Sequence, residues 1–162
     1  MGRILAFLLL VVVAAAIVIP YEFKPGMYLG GTTQAAPADF NFVNDRSKYD
    51  QVLVQTKGIA GLPQVHVIWA IGIDDALYAF GEEHGRWRTA AVEAGELRMR
   101  VGDAVYDLKV TPLTDASDEQ LLAIHEAYRA KYNPEYDQLL EEALGHAPTP
   151  EDMRVTLRMT AK

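Results

Sequence analysis

The chain has 162 residues, no cysteine, and 22 acidic against 15 basic side chains, for a formal charge of −7. That length holds one folded domain of ordinary size. The missing cysteine excludes disulfides, thiolate catalysis, iron–sulfur clusters and cysteine-ligated zinc, and the acidic balance argues against nucleic-acid binding, which needs Lys and Arg on phosphates.

The apolar half of the composition is unevenly spread: 17 of the first 20 residues are apolar, and Arg3 is the only charged one among them. The run that opens at Ile4 continues to Ile19 without a polar side chain and, extended to Phe23, spans about 30 Å as a helix, the thickness of a hydrocarbon core. Tyr21 and Phe23 fall where interfacial aromatics belong. This predicts a single transmembrane anchor over residues 1–23, in the lipid bilayer through residues 4–23. A cleaved signal peptide is the competing reading, and a buried soluble helix a third. Ala14-Ala15-Ala16 is followed by more apolar residues rather than by a mature start. Arg3 and the amino terminus favour an inside N-terminus, which makes a single-pass cell-membrane protein with its domain on the outer, periplasmic or extracellular side.

Residues 24–45 read as a linker, because Pro25-Gly26, Gly30-Gly31-Thr32-Thr33 and Ala35-Ala36-Pro37 break any period. The domain then occupies residues 46–162. Residues 51–56 alternate as a short strand, and Gly58, Gly61 and Pro63 mark a turn. Residues 64–73, β-branched and carrying Trp69, read as one buried strand. Asp74-Asp75 turns the chain into a third strand over 76–80, and residues 86–94 form a short helix. Strands over 97–101 and 104–111 flank Gly102-Asp103, a type II′ hairpin signal. Leu97, Met99 and Val101 share one face, as do Tyr106, Leu108 and Val110. Ser117-Asp118-Glu119-Gln120 is a capping box opening a helix that Asn133-Pro134 ends. A second helix, 135–144, closes at Gly145, and alternation from Met153 to Thr160 reads as a returning strand. The expected fold class is α+β, a barrel of about six antiparallel strands with helices inserted before the last.

In that order, Val54-Gln55-Thr56-Lys57-Gly58 with Gly61-Leu62-Pro63 resembles the Thr-x-Gly…Gly-x-Pro corner of the flavin- and deazaflavin-binding split barrels, the pyridoxamine-phosphate-oxidase-like superfamily. Trp69, Leu77-Tyr78, Arg86-Trp87-Arg88, Gly95-Glu96-Leu97-Arg98 and the stretch from Ala127 to Tyr132 look like an uncharacterised branch of it. The resemblance covers about half the chain. It implies a split β-barrel that pairs as a homodimer and binds FMN or the deazaflavin coenzyme, as an oxidoreductase on a small or lipophilic acceptor. The cofactor-binding positions it implies are Thr56, Lys57, Trp69, Arg86, Trp87 and Arg88, with the two arginines gripping phosphate and Trp87 stacking on a ring. The corner departs from the family pattern: Ile59-Ala60 and Gln64 stand where basic residues are usual, and the turn is one residue shorter. That departure motivates the alternative, a cofactor-free split barrel serving as a binding or assembly module.

Other chemistry has little footing. Ser47 and Ser117 are the only serines and neither lies in a Gly-x-Ser-x-Gly elbow. His66 on its strand suits a heme or metal role less well than a hydrogen-bonded structural one, and His84, His125 and His146 lack ligand spacing. The alternate arginines Arg98/Arg100 and Arg154/Arg158 read as solvated faces. Tyr128, Tyr132 and Tyr136 recur at helical spacing, which reads as core rather than a quinone box. Redox chemistry here depends on a bound cofactor.

Overall fold

The computed structural model describes Val12 and residues 26–58, 61–81 and 84–162. Apart from Val12, the expected membrane anchor lies outside the described residues, and so do Ile59 and Ala60 of the first turn. Among the described residues no helix is long and apolar enough to cross a membrane.

In chain order the elements are β1 (Thr32–Thr33), a helical turn α1 (Arg46–Tyr49), β2 (Val52–Lys57), β3 (Pro63–Ile68), β4 (Ala70–Ile73) and β5 (Ala76–Ala79). Next come α2 (Arg86–Ala94), β6 (Glu96–Val101), β7 (Ala104–Pro112), α3 (Asp118–Tyr132), α4 (Glu135–Leu144) and β8 (Leu157–Ala161). The sheet runs β3-β2-β6-β7-β8-β5-β4, antiparallel throughout, with β1 added parallel to β7 outside that path. Its two end strands, β3 and β4, are consecutive, with only Trp69 between them. The stretch expected as one strand over 64–73 therefore bends at Trp69 and changes neighbour, from β2 to β5. The sheet curls round to follow it, giving an α+β fold on an antiparallel half-barrel. Eight strands are present among the described residues against about six expected, because the bent strand counts twice and β1 joins from the supposed linker.

Local signals act as elementary chemistry requires. Gly102 takes φ 59 while Asp103 stays out of the left-handed region, as a type II′ turn demands. Ser117 accepts a hydrogen bond from the Gln120 amide at 3.2 Å, opening α3. Asn133 is extended before Pro134, and Gly145 closes α4 in the left-handed conformation. One expectation fails: Met153 and Val155 lie in a 3-10 turn over Pro150–Val155, and the last strand begins only at Leu157. The Asp152 carboxylate accepts from both the Thr149 amide and the Thr149 hydroxyl at 2.7 Å, which winds the chain there. Alternating apolar residues over so short a stretch satisfy a tight turn as well as a strand.

Three apolar clusters among the described residues hold the fold. Inside the curl, Val54, Leu77, Met99, Leu108, Leu157 and Met159 are fully buried. Between the β4–β5 side and the helices lie Ile71, Leu121, Ile124 and four tyrosines, Tyr78, Tyr128, Tyr132 and Tyr136. On the outer face of the sheet, Leu29 sits on Val65 and Val105, with Leu53 at the edge. The segment read as a linker thus takes part in packing, and Phe40 and Val43 are fully buried within the inner cluster.

Candidate functional site

Cross-strand register builds one groove from three strands and the C-terminus. Gln55 on β2 pairs with Arg98 on β6, which pairs with Asp107 on β7, so the three side chains stand in a row on one face. At the end of this row a groove of about 280 Å³ is lined by Thr56, Lys57, Glu96, Arg98, Asp107 and Lys162. Arg98 is fixed on three sides: Nε to Asp107 at 3.2 Å, and its terminal nitrogens to Gln55 Oε1 at 3.4 Å and Thr33 Oγ1 at 2.9 Å. Lys162 Nζ lies 2.7 Å from Glu96, and that contact, with Lys57 beyond it, holds the Glu96 carboxyl below its usual range. Lys57 makes no ion pair or side-chain hydrogen bond among the described residues, so three cations face two carboxylates and one ammonium is left over.

Two polar groups on the opposite, inner face of the β2–β3 hairpin lack partners. Thr56 is buried, and among the described residues its hydroxyl has no hydrogen-bond partner. His66 Nε2 is buried without a partner as well, and burial pushes the imidazole pKa down. Register pairs Thr56 with Gln64 and Val54 with His66, so both groups point to the same side of the β2–β3 hairpin. An unmatched buried polar group costs about 1–3 kcal/mol.

The remaining expected site residues lie elsewhere. Arg86 and Arg88 are two positions apart on α2, about 200° round the helix, so they do not converge. Arg86 is exposed, whereas Arg88 Nε donates to the Val155 carbonyl at 2.8 Å and ties α2 to the turn before β8. Trp87 is buried against Gly81, where an added Cβ would come within 2.6 Å of its ring. The two arginines are therefore not brought together, and α2 turns its one large apolar side chain, Trp87, into the core. Trp69 stacks instead on Tyr132, with centroids 4.6 Å apart and planes at 9°. Only Ala94, at the far end of α2 and about 12 Å along the axis from Arg86, reaches the groove.

A polar network that the sequence reading treated only as core binds the helices to the strand bend. Tyr128 Oη accepts from the Phe80 amide at 2.8 Å and donates to the Tyr78 carbonyl at 3.0 Å. Tyr132 Oη accepts from the Ala70 amide at 3.2 Å and lies 2.9 Å from the Asp50 carbonyl. Lys131, almost fully buried, donates to the Ala70 carbonyl at 2.7 Å with its ammonium 4.7 Å from the Tyr132 ring centre. His125 Nδ1 meets Tyr136 Oη at 2.9 Å. Helical spacing places Tyr128 and Tyr132 on one face of α3, but their hydroxyl partners come from distant backbone, while Tyr136 on α4 meets the His125 ring and the Met153 sulfur. Among the described residues no group of three or more His, Asp or Glu side chains is placed to hold a metal ion.

Residues 46–159 match the family described as "Uncharacterized protein conserved in bacteria (DUF2255)", and the chain belongs to that family. No curated protein matches it. Among solved structures it is similar to a putative 5-nitroimidazole antibiotic resistance protein from Bacteroides thetaiotaomicron, at 12% identity and TM-score 0.49, over 69% of this chain and 71% of that one. It is also similar to a FAD-binding protein from Mesorhizobium loti, at 18% identity and TM-score 0.46, over 72% of this chain and 82% of that one. A conserved hypothetical protein from Mycobacterium tuberculosis is similar at 15% identity and TM-score 0.44, over 73% of each chain.

Proposed function

We propose that this chain is a split-barrel protein that takes the anionic end of a flavin or deazaflavin cofactor, FMN or the deazaflavin coenzyme, in the groove beside Lys57 and Thr56. It works as a homodimer held at the cell membrane by residues 4–23, with its domain on the outer side, as an oxidoreductase on a small or lipophilic acceptor. One observation carries the reading: the Lys57 ammonium, which makes no ion pair among the described residues, lines a groove that holds a surplus of positive charge on an acidic chain. Lys57 supplies charge to a phosphate, while Arg98 is already oriented by Gln55, Asp107 and Thr33. The residues fit the anionic end of such a cofactor, and Arg86, Trp87 and Arg88 do not fit its ring. When bound, the group supplies hydride or electron transfer, and the protein supplies binding and orientation.

Titrating FMN and the deazaflavin coenzyme into the detergent-solubilised full chain, read by fluorescence, tests this. Lys57→Ala is expected to weaken binding about tenfold or more, as loss of a charge-assisted phosphate contact implies, and Arg86→Ala to leave it unchanged. No binding of either compound up to about millimolar concentration overturns the reading. The second reading, a cofactor-free binding or assembly module, is supported by Arg88 being spent on Val155 and Trp87 on the core.

A further inference from the structure

We propose that Glu96 is a resident competitor for the anionic end of the ligand: its carboxylate occupies the lysines that a phosphate needs, so the groove holds its ligand loosely and lets it exchange. The proposal rests on the reading of this groove as the seat of a flavin or deazaflavin phosphate. It adds what sets the strength of that hold.

Most of the groove's cations are already taken. Lys162, one residue past the end of β8, reaches over β7 and places Nζ 2.7 Å from the Glu96 carboxylate on β6. Arg98, two residues further along β6, is held by Asp107 of β7 at 3.2 Å. Lys57 makes no ion pair among the described residues. Lys57 and Glu96 each lie two residues beyond the paired Gln55 and Arg98, on the face that those two share. From there the Lys57 charge acts on Glu96 as well, adding to the larger effect of Lys162 in holding the carboxyl below its usual range. One carboxylate thus draws on two ammonium groups, as the oxygens of a bound phosphate do.

Folding does not call for that carboxylate. The Lys162 and Glu96 side chains are 41% and 54% exposed, and ion pairs so open to water add little to stability. The start of β6 is fixed without it, by buried Leu97 and by the Val110 amide, which donates to the Gly95 carbonyl at 2.9 Å. An incoming phosphate therefore has two courses. It engages Lys57 alone, or it draws Lys162 off Glu96 and leaves a bare carboxylate beside itself. Neither tryptophan makes up the difference, since Trp87 is buried and Trp69 stacks on Tyr132. Affinity differences at one site appear mostly in the release rate, so a weak hold here means fast exchange.

The test titrates FMN and the deazaflavin coenzyme, by fluorescence, into the detergent-solubilised full chain carrying Glu96→Gln. Glu126→Gln is the control, because Glu126 is exposed on α3, outside the groove, and its loss changes the net charge equally. Thermal melts verify folding, and Glu96→Ala gives a second variant with the same expectation. Glu96→Gln is expected to tighten binding by about fivefold or more, chiefly by slowing release in a displacement experiment. Lys162→Ala should change affinity less than about twofold alone, yet remove most of the gain when combined with Glu96→Gln. Equal tightening by Glu126→Gln means that net charge is at work and overturns the proposal. If Lys57-dependent binding is present but loss of the Glu96 carboxylate leaves it unchanged or weaker, the groove reading stands and the competitor is wrong. If neither the native chain nor Glu96→Gln binds either compound up to about millimolar concentration, the groove reading fails and the proposal fails with it.

Discussion

Lys131 is the side chain with most at stake in its surroundings. Burial lowers its pKa from 10.5 to about 8; the Asp50 carboxylate opposes that shift and the Arg46 guanidinium adds to it, with the Tyr132 ring as the remaining neighbour. Below pH 8 both folded and unfolded chains carry the proton, and the cost of burying charge is paid in full. Between about 8 and 10.5 the unfolded chain binds more protons, so stability must rise with pH. Tyr128, Tyr132 and Tyr136 act in the opposite sense above pH 10, because burial holds their protons in the folded state. Urea melts across this window are expected to show unfolding free energy increasing by on the order of 1 to 2 kcal/mol before it falls, and Lys131→Met to flatten the rise. Tyr132→Phe removes the acceptor of the Ala70 amide and should cost about 1–3 kcal/mol at neutral pH. The face these residues share was legible in their spacing. Their partners were not, because Tyr132 bonds to backbone 62 and 82 residues away.

At the scale of elements, what the sequence showed well was whatever a short window decides. The β6–β7 hairpin, the start of α3 and the end of α4 each rest on neighbours a few residues apart, and each appears where expected. The turn over residues 41–44 shows the opposite case. Nothing periodic marks it, yet Asn44 clasps Gly72, donating to its carbonyl at 2.7 Å and accepting from its amide at 2.9 Å. The approach is so close that a Cβ on Gly72 would overlap the Phe40 carbonyl, and only glycine admits it. Phe40→Ala should therefore destabilise the domain by about 3–5 kcal/mol in a denaturant melt, a core-sized loss from a segment that reads as linker. Gly72→Ala should do at least as much harm, by pushing the turn off β4. The site divides along the same line: Gln55 and Lys57 share a face because they stand two apart on one strand, whereas Arg86 and Arg88 part because a helix separates positions two apart.

For the whole molecule, hairpin order disclosed an α+β fold, but not how its sheet closes, since the change of partners at Trp69 is set by the Tyr132 ring more than sixty residues on. Nor did alternation disclose that part of the outer face is covered, so Val105 is buried under Leu29 while its strand neighbour Asp107 is not. If the domain pairs as proposed, sedimentation of the detergent-solubilised chain should give twice the 17.9 kDa protomer mass, and a monomer would remove that element of the reading. The covering strap has a mechanical consequence. A pull from the amino-terminal side of Gly26 first loads the two hydrogen bonds to Val65. It then meets the Arg100 hold on the Leu29 carbonyl, and after that the bonds from Thr32 and Gln34 to β7. These contacts lie in series and outside the main path of the sheet, so they peel one at a time. Releasing residues 26–34 frees roughly 30 Å of slack before any strand of the curl bears tension. The strap is a fuse: a pull from that side spends itself there, and the curled sheet keeps its shape.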